Sequence, residues 1–192
     1  MIISHNIFPI LVYQVPNFIS PEEITFIKDY LRSKRYTPHD ALSGNAESTF
    51  YNRENDIDVI NMIIPIKEKL VRYCDEFSMV HGCGKVEIGN SWANIQKPNS
   101  KLEFHAHSFS AISGALYIQL DELSSPISFK NPNPYIDVLE RSIGFTQYTA
   151  TTYTLTPKVG DLLIWAGWLK HGSISTNQSN ERIVISFNSK FI

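Results

Sequence analysis

The chain has 192 residues, of which 43% are hydrophobic and 19% charged, with a formal net charge of −2. That balance excludes a disordered chain, and the scattered lysines and arginines exclude the basic face of a nucleic-acid-binding protein. No stretch approaches the roughly 18 consecutive apolar residues of a membrane span, so neither a membrane nor a nucleic-acid partner is expected.

The opening MIISHNIFPILVYQV is apolar but lacks the basic start and small-residue cleavage site of a leader, which predicts a cytoplasmic protein. The first regular element is predicted in FISPEEITFIKDYLRSK. Ser20 is placed to cap a helix, Pro21 to occupy its first position and Glu23 to close a capping box, with Ile24, Phe26, Ile27, Tyr30 and Leu31 at helical spacing. Residues 37–55 are polar and rich in turn formers and read as a loop. From Asp56 to about Met79 helical spacing resumes through Ile57, Ile60, Ile64, Leu70, Val71, Cys74 and Phe77, with Pro65 expected to kink or split the helix. Cys74 and Cys83 are the only cysteines and are expected to be reduced.

After Gly82 the pattern changes to short β-branched or aromatic runs separated by Pro, Asn, Gly and Ser: VEIGNSWANIQK, AISGALYIQL, SPISFKNP, YTATTYTLTP, DLLIWAGW, HGSIST and RIVISFNSKF. Helices followed by seven or more strands predict one domain over 1–192, in which a helical region (1–82) supports an antiparallel sandwich or barrel (83–192). Side chains alternate along a strand. Ile112, Leu116, Ile118 and Leu120 therefore share one face, and Ser113, Ala115, Tyr117 and Gln119 the other. Ile183, Ile185 and Phe187 likewise oppose Arg182, Val184, Ser186 and Asn188. The dry faces suit the helices. The mixed faces either meet solvent or line a polar cavity.

His105 and His107, in FHAH, stand one residue apart, so on a strand their rings leave the same face about 7 Å apart at Cα and can converge on one ion. His171, in WLKHGSIS, offers the third ligand that a metal site needs. His5, His39 and His81 have no partner at ligand spacing and read as surface or hydrogen-bonded residues. Arg182 keeps its charge, so in so apolar a strand it needs solvent or an anionic partner, such as a carboxylate held by two parallel hydrogen bonds. Trp92, Trp165 and Trp168 read as barrel packing. Glu103 shares the parity of His105 and reads as a salt-bridging residue, with metal ligation or acceptance of an imidazole N–H as alternatives.

The ordered set NSWANIQKP, FHAHSFSAISGALYIQL, PKVGDLLIWAGWLKH and RIVISFN, over residues 90–190, resembles the 2-oxoglutarate and Fe(II)-dependent oxygenases, and in particular a group with members in phages and marine bacteria. The resemblance implies a double-stranded β-helix, a jelly-roll or cupin-like barrel, mainly β with N-terminal helices on one sheet. It also implies that the mixed strand faces line the barrel, and that a viral chain would act inside an infected host. Carried over by residue, it makes His105 and His171 metal ligands, with His107 where most members have a carboxylate. Arg182 becomes the partner of the distal carboxylate of 2-oxoglutarate, with Tyr117 supporting it and Asn94 a further contact.

The implied activity is a dioxygenase that uses Fe(II), 2-oxoglutarate and O2, hydroxylates a small-molecule or peptidyl substrate, and releases succinate and CO2. Residues 36–55 and 130–150 are expected to select that substrate. Three neutral imidazoles leave Fe(II) at +2 instead of the +1 of a two-histidine, one-carboxylate site, and they equally suit zinc. The residues alone therefore leave open another three-histidine cupin-like enzyme, either a dioxygenase or a zinc hydrolase, and a non-catalytic jelly-roll module.

Overall fold

The computed structural model describes residues 3, 8–51, 60, 64–136, 144–146 and 148–192. Helix α1 (Pro21–Arg32) begins as predicted: Glu23 N donates to Ser20 Oγ at 3.2 Å and Ser20 N to Glu23 Oε2 at 2.8 Å. It buries Ile27 and Leu31, whereas Phe26 points to solvent, 60% exposed. Helix α2 (Ile64–Val80) includes Pro65, and the kink or split expected there falls against residues 61–63, which lie outside the described residues. The earlier part of the predicted helix, apart from Ile60, lies outside the described residues. The helix ends at Gly82, whose φ of 70° is the left-handed cap geometry, with its N–H on Met79 O at 2.9 Å. Neither helix is long and apolar enough to cross a membrane. Cys74 is buried, Cys83 is exposed, and both are free thiols.

Eleven strands are described: β1 (Val12–Val15), β2 (Leu42–Ser43), β3 (Ala46–Ser48), β4 (Val86–Gln96), β5 (Lys101–Leu102), β6 (Ile112–Gln119), β7 (Ile127–Lys130), β8 (Thr152–Leu155), β9 (Leu162–Ala166), β10 (His171–Gly172) and β11 (Arg182–Phe191). Six form one antiparallel sheet in the order β1-β9-β6-β11-β4-β3. Two smaller ladders, β10-β7-β8 and β2-β5, are linked by backbone bonds from Ser173 N to Leu102 O (2.8 Å) and between His105 and His171. This antiparallel arrangement is that of a double-stranded β-helix.

The parity argument explains the packing. Ile112, Leu116, Ile118, Ile183, Ile185 and Phe187 meet Ile27, Leu31, Leu70 and Phe77 of the helices in one apolar cluster. Each fully buried Leu or Ile there contributes about 1.5–3 kcal/mol. The opposite face supplies Ala115, Tyr117 and Val184 to a second cluster with Ile127, Phe129, Leu163 and Trp165. Leu120 departs from the alternation: it follows the last residue of β6 and packs against this second cluster. The loop predicted over 37–55 contains β2 and β3. Strands from before residue 83 therefore take both edges of the large sheet, β1 beside β9 and β3 beside β4.

Candidate metal centre and its cleft

Backbone pairing brings the first and third histidines together. His105 N donates to His171 O at 3.0 Å and His171 N to His105 O at 2.9 Å. The approach needs a glycine beside it, because a Cβ on Gly172 would lie 2.9 Å from both N and Cα of Phe104. His107 is held by its N–H on Gly167 O at 2.9 Å. The three rings then gather, although His105 pairs only through its isolated bridge to His171 and His107 lies in no strand: centroids are 4.9 Å apart for His105–His107, 4.5 Å for His105–His171 and 5.4 Å for His107–His171. One nitrogen from each ring lies within 4.8 Å of the other two.

Two of these rings have a fixed tautomer. His105 Nδ1 lies 2.7 Å from Glu103 O, and His171 Nδ1 lies 3.0 Å from Leu169 O. A carbonyl only accepts, so each Nδ1 carries the proton and each Nε2 keeps a lone pair for a ligand. In both cases the acceptor is the carbonyl two residues earlier, so the local chain itself orients the ring. His107 differs: its Nδ1 is 3.4 Å from Asn188 Nδ2, and Asn188 Oδ1 accepts from Ser113 Oγ at 2.8 Å. Amide and hydroxyl can both exchange donor and acceptor roles, so this ring can present either tautomer. Burial, reinforced by the neighbouring His105, holds His171 down to about 3 and His107 down to about 4. Burial also lowers His105. Neutral imidazoles at physiological pH offer the unprotonated nitrogens that a divalent ion binds.

Beside the histidines lies a second, anion-seeking half of the same cleft. Arg182 and Gln96 are Cα partners across β11 and β4, and Asn94 lies two residues before Gln96, so all three share a face. Arg182 is 4% exposed; its Nε donates to Ser125 O at 3.1 Å and its Nη1 to Gln96 Oε1. No carboxylate pairs with it among the described residues. Its guanidinium carbon sits 5.7 Å from the centre of the Tyr117 ring. Tyr117 Oη, Gln96 Nε2, Asn94 Oδ1 and Trp165 Nε1 are buried without a protein partner. Burial pushes the Tyr117 hydroxyl well above its ordinary range, so it stays a donor, and pulls Arg182 down. A buried guanidinium ringed by unused polar atoms fits an anionic ligand with several oxygens, and three neutral imidazoles beside it fit a metal that such a ligand could chelate.

The six residues expected to form the site, His105, His107, His171, Arg182, Tyr117 and Asn94, all line this one cleft. Its partly exposed lining includes His39, Ala41, Leu42 and Leu102, which the β2–β5 pair brings to the mouth. Sequence reasoning missed three participants. Gln96 had a usable signal, since it shares strand parity with Asn94. Trp165 is buried packing as expected, yet it also lines the cleft and leaves its N–H unused. His39 accepts from Ala41 N at 3.0 Å and stacks on Tyr51 at the rim, a place set by tertiary pairing alone. His81 bonds Phe77 O at 2.8 Å, the ordinary structural role expected of it, and His5 lies outside the described residues. Trp168 is 55% exposed, against the expectation of packing. Glu103 takes Ser43 Oγ at 2.7 Å and Lys101 at 3.9 Å, so it serves as a salt-bridging residue; its carbonyl, not its carboxylate, holds His105. The segment 130–150 falls partly outside the described residues.

No curated protein matches the sequence. The fold does have solved counterparts. An oxidoreductase of the 2OG-Fe(II) oxygenase family from Burkholderia pseudomallei is 11% identical, with 93% of this chain and 85% of that one covered at a TM-score of 0.67. HygX from Streptomyces hygroscopicus, with nickel and 2-oxoglutarate bound, is 9% identical over 93% and 82% of the two chains at 0.62. The viral collagen prolyl hydroxylase of Paramecium Bursaria Chlorella virus-1, a 2-oxoglutarate complex, is 14% identical over 94% and 96% at 0.55. At such identities the likeness is one of fold. The sequence profile of the family described as "Putative 2OG-Fe(II) oxygenase" matches residues 90–188, just over half of the chain and the stretch that carries the histidines and the arginine, and on that match the chain belongs to the 2OG-Fe(II) oxygenase family.

Proposed function

We propose that the protein is a hydroxylase in which His105, His107 and His171 hold Fe(II) and Arg182, Tyr117 and Asn94 bind 2-oxoglutarate. One observation carries this reading: three neutral imidazoles converge in the same cleft as a buried guanidinium that has no acid partner among the described residues. Bound Fe(II) supplies the oxidising chemistry, in which O2 and 2-oxoglutarate become succinate and CO2 while one oxygen atom enters a substrate C–H bond as hydroxyl.

The residues supply position and charge. Backbone carbonyls aim His105 and His171, and burial keeps the ligand set unprotonated. Arg182 offers its guanidinium to the distal carboxylate, and the Tyr117 hydroxyl, kept protonated by burial, donates to the same group. The aromatic and aliphatic lining, Trp92, Trp165, Leu42 and Leu102, limits water around the reacting centre.

The test is turnover without a known substrate. Iron-loaded protein under air should slowly convert 2-oxoglutarate to succinate, and His171→Ala should lose both metal and turnover. Iron-loaded protein that neither binds nor consumes 2-oxoglutarate would overturn the proposal.

A further inference from the structure

Gln96 stands out among the buried residues of the cleft. It is 1% exposed, and its Oε1 accepts from Arg182 Nη1. A guanidinium can only donate, so the amide has one permitted orientation, with Oε1 on Nη1 and Nε2 left for another acceptor. That Nε2 is buried and has no acceptor. Tyr117 Oη, fully enclosed in the same cleft, has none either. Two buried donors without acceptors beside a buried cation describe a place prepared for an anion's oxygen atoms.

The choice of amide over acid at this position also matters. Gln96 and Arg182 face each other across the β4–β11 ladder, so the contact is fixed by the sheet and not by a mobile loop. A glutamate of the same length would reach the same guanidinium and neutralise it. Glutamine holds the guanidinium in place through a neutral oxygen, as the Ser125 carbonyl does through Nε, and leaves its charge available.

We propose that Gln96 is a specificity-determining residue for the cosubstrate. Its Nε2 donates to the distal carboxylate, and its neutrality reserves the charge of Arg182 for that carboxylate, so that a 2-oxo diacid is selected over a 2-oxo monoacid. The inference rests on the reading of Arg182 as the diacid clamp.

Calorimetric titration of nickel-loaded protein with 2-oxoglutarate and with 2-oxovalerate, which keeps the chelating head and replaces the distal carboxylate by methyl, separates the two ideas. Wild type should prefer the diacid strongly. Gln96→Glu should lose about 100-fold in 2-oxoglutarate affinity, leave 2-oxovalerate nearly unaffected, and raise the melting temperature of the metal-free protein as Arg182 gains a partner. Gln96→Met, which keeps the volume without the donor, should lose about 10-fold for the diacid alone. If the diacid preference is unchanged in both variants, Gln96 has no such role. If wild-type protein fails to bind 2-oxoglutarate at all, the clamp reading itself falls.

Discussion

Arg182 is buried and charged, and among its described neighbours only neutral acceptors reach it. Burying such a group without an anion is unfavourable by several kcal/mol, so its retention on β11 points to an anion that arrives from outside. Arg182→Ala should weaken 2-oxoglutarate binding by about 100-fold while metal affinity is kept, because the hydrogen bonds of the arginine go to Ser125 and Gln96 and not to an imidazole. Arg182→Lys should recover only part of the loss, since a point charge replaces a planar fork. Titrating both variants with 2-oxoglutarate and with metal checks this, and equal cosubstrate affinity in Arg182→Ala would remove the clamp. The arginine was readable in the sequence because a permanent charge inside RIVISF demands a reason. Gln96 shares strand parity with Asn94 and so could have been placed on the same face, but an amide before Lys97 and Pro98 looks like the polar end of a strand, and only the fold reveals that its side-chain N–H goes unanswered.

Strand pairing, more than any single side chain, makes histidines from two distant segments one site. β5 and β10 are two residues each, and the contact that matters is the mutual backbone pair of His105 and His171. Gly172 permits it. Gly172→Ala would press a methyl against Phe104 backbone, which cannot swing aside as a flexible side chain could, and the strands must part. The variant should melt lower, by about 1–3 kcal/mol of stability, and should bind zinc or cobalt more weakly than wild type even though every ligand is intact. Wild-type zinc affinity in Gly172→Ala would show that the pairing does not set the ligand geometry. The longer elements were legible from period and caps: the Ser20–Glu23 box and the split faces of β6 and β11. Strands β2, β3 and β5 were not, because two or three residues carry no periodicity and their pairing is decided by partners far along the chain. The exposed Phe26 misled for a related reason, since helical spacing alone does not say how wide the buried stripe is.

Across the whole molecule, one six-stranded sheet has a helix-covered apolar face and an inner face that carries the polar cleft, and this division makes the site a liability at low pH. An unfolded histidine titrates near 6.5. In the folded, metal-free protein His107 remains neutral down to about 4 and His171 down to about 3, with burial as the first cause for each; burial also lowers His105 and His39. The folded state therefore binds fewer protons than the unfolded chain once pH drops below 6.5, and the unfolding free energy must decline with pH from there to about 4. Between pH 6.5 and 5 most carboxylates remain ionised in both states, so the slope in that window belongs to these histidines. Denaturant melts of metal-free protein across this window should show a steady loss of stability. The decline should be shallower in the His107→Ala, His171→Ala double variant, where two of the responsible groups are gone. A wild-type curve flat from pH 6.5 to 5 would mean that the imidazoles are already solvated, and with it the account of a dry, preformed, neutral ligand set would fail.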